Sequence, residues 1–208
     1  MPLLQSQRSS SLDMNCPLLG GVIHCRKLDG WDIRWEADGV YRHWCSQVRR
    51  DNFNGRFIAV CLFNPGSLSG DGTNLRRDTT LRILRDVFSS TAYGCMVLNL
   101  FDRATPKPPE LFSVWSERDK ANCLLIYDLV SDLIVASIPA YGDYENHRDP
   151  TKAHEIRSRI TVLKTWRAGF ASIESPRNAN GTPMHVMRWQ IKGLKKTLAK
   201  RLSDFSPS

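Results

Sequence analysis

The sequence predicts an α/β protein. The expected arrangement is three layers, α/β/α, around a mainly parallel central sheet, with a peripheral N-terminal hairpin. Three observations predict it. Near-continuous apolar runs at Phe57–Phe63, Gly94–Leu100 and Leu133–Ile138 read as strands buried on both faces, as in a parallel sheet. Segments with apolar residues at helical spacing lie between and after these runs. The two patterns alternate from residue 57 onward, as βαβ units do.

The elements follow in order. Residues 1–20 are Ser-rich and aperiodic and read as a flexible tail, leaving 21–208 as a single domain. Trp31-Asp32-Ile33-Arg34-Trp35 alternates, and Asp38-Gly39 is a hairpin turn, so antiparallel strands are expected there. Phe57–Phe63 is the first strong strand and stops on Asn64-Pro65-Gly66. Asp78 caps a helix over Thr79–Ser89, with Leu81, Leu84 and Phe88 on one face. The second strand, Gly94–Leu100, leads into Phe101 to Thr105. A loop holding Pro106, Pro108 and Pro109 then excludes helix and central strand. A helix is expected over Glu117–Val130, and a third strand ends at Pro139-Ala140-Tyr141-Gly142. Helix Thr151–Arg167 and a short strand Gly169–Ile173 come next. A turn-rich loop leads to His185, and a last helix spans Met187–Leu202, with Ile191, Leu194, Leu198 and Leu202 inward.

Composition bounds the function classes. The apolar share of 41% is that of an ordinary globular chain. No run reaches the roughly 18 apolar residues that span a bilayer. Residues 1–15 lack a long apolar core, so no secretory signal and a cytoplasmic location are expected. The six cysteines contain no C-x-x-C pair, so neither a structural metal nor a cofactor is expected. Net charge is +8 and the pI about 9.4. That balance favours acidic partners, nucleic acid first, and the lack of a long apolar run leaves no membrane partner expected.

Ligands of open α/β sheets bind outside the carboxyl ends of strands. Four strand-end loops here carry polar or aromatic groups. Asn64 can orient a water or bind a ligand, or simply cap a turn. Asn99 closes an apolar run, and a buried amide must be satisfied. It suits the reading of a base edge. Arg103 and Thr105 can hold a phosphate. Phe63, Phe101 and Tyr141 can stack on a planar ligand or belong to the core. His185 follows a Gly/Pro turn and can donate to a developing charge. The other four histidines lack comparable context. Lys192, Lys195, Lys196 and Lys200 form a basic face on the last helix, suited to a phosphate backbone or to solvent.

These motifs resemble a bacterial family, the domain of unknown function numbered 1643. The matching pieces are Tyr41-Arg42-His43-Trp44, Leu62-Phe63-Asn64-Pro65-Gly66 and Asp78-Thr79-Thr80-Leu81-Arg82. They continue with Val97-Leu98-Asn99-Leu100-Phe101, Arg103-Ala104-Thr105, Pro109-Glu110-Leu111, Asn122 and Gly181-Thr182-Pro183-Met184-His185. The family's order is kept over residues 40–190. Three positions depart: Gly66 stands for serine, Tyr141 for tryptophan, and Val186 for a proline. A more distant likeness is to mismatch-specific uracil-DNA glycosylases. It implies that Asn64, with Pro65 and Gly66, positions a hydrolytic water. It also implies that Asn99 reads the base and His185 supports its departure. The function so implied is recognition of a nucleobase in nucleic acid, with hydrolysis of the N-glycosidic bond. Non-catalytic nucleotide or nucleic-acid binding, and a hydrolase or transferase acting on a free nucleotide, stay open beside it.

Overall fold

A computed structural model describes residues 14–16, 21–28, 30–36, 42–48, 52–65, 78–105, 108–114 and 126–206. The Asp38-Gly39 turn, Gly66, Pro106 and residues 117–125 of the helix expected over Glu117–Val130 lie outside them. So does the Lys192 side chain.

The chain is mixed α/β, and among the described residues eight strands form one sheet ordered β1-β2-β3-β4-β6-β5-β7-β8. The strands are β1 (Met14–Cys16), β2 (Gly21–Leu28), β3 (Trp31–Glu36) and β4 (Arg42–Gln47). Then come β5 (Phe57–Leu62), β6 (Gly94–Asn99), β7 (Ile134–Pro139) and β8 (Ala171–Ser172). The helices are α1 (Thr79–Val87), α2 (Pro108–Val114), α3 (described over 126–130), α4 (Pro150–Arg167) and α5 (Leu194–Asp204). No helix among the described residues is long and apolar enough to cross a membrane.

Strands β6, β5, β7 and β8 pair in parallel. The N-terminal strands pair antiparallel and continue the same sheet, because β4 joins β6 through Cys45↔Val97. The expected hairpin is therefore one flank of the sheet. Three residues of the stretch read as a tail, 14–16, form β1 against β2. A three-residue strand is too short to carry a period.

Alternation along β5 explains its burial on both sides. Ile58, Val60 and Leu62 enter one apolar cluster with Leu81, Leu84, Val87, Trp189, Leu198 and Leu202. Phe57, Ala59, Cys61 and Phe63 enter another with Ile126, Tyr127, Ile156, Ile160 and Leu163. Each Val, Leu, Ile or Phe among them contributes about 1.5–3 kcal/mol on burial. Every residue of β5 and β6 is buried, so a charge placed anywhere along them has no outlet to water.

Two expectations are corrected. Pro108 and Pro109 open helix α2 instead of excluding it. A proline in the first turn loses only an N–H that has no helical partner there. The last helix is two elements: a 3-10 helix over Val186–Gly193, then α5. Gly193 sits at φ +77°, in the left-handed region that breaks a helix. Ile191 consequently stands 45% exposed, while Trp189 is fully buried.

Candidate functional site

The carboxyl ends of β5 and β6 are bound to each other beyond the strands. Leu100 N donates to the Leu62 carbonyl at 2.9 Å, and Phe101 N to that of Phe63 at 3.0 Å. Asn64 continues the pairing with its side chain. Its Nδ2 donates to the Thr105 hydroxyl and to the Pro65 carbonyl, each at 2.9 Å. Thr105 N returns a bond to the Pro65 carbonyl at 3.2 Å. Asn64 is half-buried, while Pro65 and Thr105 are buried. Thr105 is thus engaged by Asn64 inside the loop. Arg103 is half-buried in the same loop.

Asn99, the last residue of β6, is 4% exposed. Its backbone carbonyl accepts the Tyr127 hydroxyl at 2.7 Å, which ties the strand end to α3. Its side-chain oxygen is buried with no hydrogen-bond partner among the described residues. An unsatisfied buried carbonyl costs about 1–3 kcal/mol. Alternation places the side chain on the α1 face, two residues past Val97.

The sequence reasoning missed His43. It stands two residues before Cys45, on the same face as Asn99 and on the neighbouring strand. Its Nδ1 lies 2.9 Å from the Asp102 carboxylate, and both residues are 1% exposed. Arg42 N donates to the Asp102 carbonyl at 3.0 Å, so main chain and side chain hold one loop. The two residues are 59 positions apart. Only the β4–β6 pairing, which no local pattern announces, brings them together.

His185 opens the 3-10 helix, and its Nδ1 accepts from Met187 N at 3.3 Å. The neutral ring then carries its proton on Nε2. Burial pushes the imidazole below its ordinary value, with the Asp78 carboxylate opposing. Asp78 also caps α1, accepting from Leu81 N at 3.1 Å, as expected. The His185 loop is clamped to the end of β7, where Asn180 Nδ2 donates to Asp143 Oδ2 at 2.7 Å. Asn180 Oδ1 in turn accepts from the Thr182 hydroxyl at 2.8 Å. Sequence reasoning missed Asp143 and Asn180 too. Gly142 sits between these loops at φ +83°, where an added Cβ would lie 3.6 Å from His185 Cβ.

The aromatic residues go mostly to the core. Phe63, Phe101 and Tyr141 are 2%, 0% and 3% exposed. Phe63 and Phe101 pack at 5.1 Å between centroids, on the α3 and α4 side of the sheet. Burial pushes the Tyr141 phenol up to about 12. On α5, Lys195 pairs with Asp86 of α1, while Lys196 and Lys200 are exposed.

The loops that end β5 and β6 therefore meet directly, and the His185 loop is clamped to the end of β7. Among the described residues no group of three or more His, Cys, Asp or Glu could hold a metal ion. No curated protein and no solved structure matches the chain. One family model matches it over residues 41–186, from the start of β4 to His185 and Val186. That span is more than half of the chain and holds every strand-end loop just described. The chain belongs to the family described as protein of unknown function (DUF1643).

Proposed function

We propose that the carboxyl edge of β5 and β6, in a three-layer α/β/α frame, recognises a nucleobase in nucleic acid. The observation that carries this reading is the Asn99 oxygen, buried and unpartnered among the described residues, on the strand end paired with Leu62, two residues before Asn64. Such an acceptor is satisfied when a ligand brings an N–H to it. The base is extruded from the strand to reach the edge. Arg103, half-buried in the loop after β6, meets a phosphate.

In the hydrolytic version, Asn64 orients a water towards the sugar carbon. Its Nδ2 is held by Thr105 and Pro65, so its oxygen is the end that would face the water. The neutral His185 donates from Nε2 to charge developing on the departing base. An oxocarbenium-like sugar needs little basicity from its nucleophile, so an amide suffices. The exposed Lys196 and Lys200 add salt-dependent attraction to the phosphate backbone.

One observation favours a second, non-catalytic reading. The Asn64 amide already serves as a brace between two loops, a role that needs no chemistry. Base release from a panel of modified-base DNA strands separates the two. The hydrolytic version expects abasic sites from the wild-type protein and none from Asn64→Ala. Base-dependent binding without product supports the second. Neither product nor base-dependent binding contradicts both.

A further inference from the structure

The sequence assigns the stacking role to Phe63, Phe101 or Tyr141, and all three are buried. A neighbouring ring occupies a different position. Tyr144 lies parallel to Phe63, with centroids 4.0 Å apart and planes 25° apart. Phe63 is buried and backs one face of that ring. Tyr144 is half-buried, so part of the residue stays open to solvent. The ring sits just past the end of β5, where Asn64 follows Phe63 in the chain.

Gly142 completes the setting. A Cβ there would stand 3.3 Å from the Tyr144 ring and 3.6 Å from His185 Cβ. The missing side chain keeps the space between Tyr144 and His185 clear. The Tyr144 turn is itself fixed: its carbonyl accepts His147 N at 3.2 Å. Asp143 beside it holds both Asn146 and Asn180, each at 2.7 Å. A rigid aromatic ring, backed by another and next to a histidine, is a shelf for a planar ligand.

We propose that Tyr144 is the stacking platform of the strand-end site, with Phe63 as its support and Gly142 as the gap that admits a planar, base-like ring beside His185. The proposal rests on the nucleobase reading above and names the residue that holds the ring. It also ties the third strand end to the first, which Asn64 and Asn99 alone do not do.

The test compares affinity for single-stranded oligonucleotides carrying one uracil, hypoxanthine or 2-aminopurine with an abasic counterpart. Wild type, Tyr144→Trp, Tyr144→Leu and Gly142→Val are measured side by side. Leucine keeps an apolar cover on Phe63 but offers no π face. The expected result is a base preference that tryptophan keeps and leucine reduces by about tenfold or more. Gly142→Val should reduce it as well. Circular dichroism and 2-aminopurine quenching in the wild-type protein separate lost stacking from lost folding. Quenching on binding supports the platform even where a variant is unstable. A base preference in wild type that Tyr144→Leu leaves intact, or binding without quenching, overturns the platform and leaves the nucleobase reading standing. No preference for any base in wild type overturns both.

Discussion

The Asn64 carboxamide donates to the Thr105 hydroxyl at 2.9 Å, across 41 positions of sequence. This bond joins the loop after β5 to the loop after β6 and fixes which end of the amide is left for a ligand. Thr105→Val removes the acceptor but keeps the volume. We expect a stability loss of about 1 kcal/mol, measured by urea unfolding. We expect base release or base-dependent binding to fall by up to about a hundredfold, because Asn64 is no longer aimed. Equal loss in folding and in binding would mean that the bond is structural only.

Asp102→Ala should destabilise the fold far more. It breaks a pair whose two members are 1% exposed, and such losses reach about 3–5 kcal/mol. His43→Ala should cost a similar amount, and the double variant less than the sum, since the pair can be broken only once. Chemical denaturation of the three variants measures this. Additive losses would show that His43 and Asp102 act separately.

His185 gives the protein a pH dependence with a defined sign. Burial holds its imidazole below the ordinary 6.5, so the unfolded chain binds the proton more readily than the folded one. Stability therefore rises with pH between the folded pKa and 6.5, and is flat above. As pH falls through that window this residue withdraws stability. His185→Gln should flatten that part of the profile in unfolding measured from roughly pH 5 to pH 8. An NMR titration of the wild-type ring should place its pKa below 6.5. A value above 6.5 would contradict the buried, neutral donor.

Three cysteines of the sheet, Cys45, Cys61 and Cys95, should be inert. Cys45, Cys61 and Cys95 are buried free thiols. Burial pushes Cys45 and Cys61 up to about 12 and Cys95 well above its ordinary value. Iodoacetamide at about pH 8 should leave all three unlabelled in the native protein and label them in urea. Peptide mass spectrometry reads the difference. Native labelling of Cys61 would mean that the centre of the sheet opens readily.

Much of the fold was legible because burial on both faces writes itself into β5, β6 and β7 as apolar runs. The caps were legible too: Asp78 begins α1 where a capping residue was expected. The break at Gly193 was not, because the lysines and leucines around it keep a helical period that continues through a 3-10 segment. The β4–β6 pairing was not legible either, because strand order depends on contacts far apart in sequence. Nothing local to His43 marks it, for that reason. Its partner Asp102 is supplied by another strand's end, and only the paired sheet makes the two neighbours. Tyr144 is not distinguished in the sequence from Tyr141, which carries the same ring three residues earlier. Alternation at the end of β7 sends Tyr141 into the core, while Tyr144 follows the turn at Gly142.

The central claim is that this strand edge reads a nucleobase through Asn99. The most direct measurement is the affinity difference between a base-bearing strand and its abasic counterpart, in wild type and in Asn99→Ala. Wild type should prefer the base by at least about tenfold, as a good bidentate base contact allows. Asn99→Ala should erase that preference while keeping the salt-dependent affinity for the backbone. An equal preference in both proteins, or none in wild type, would contradict the claim.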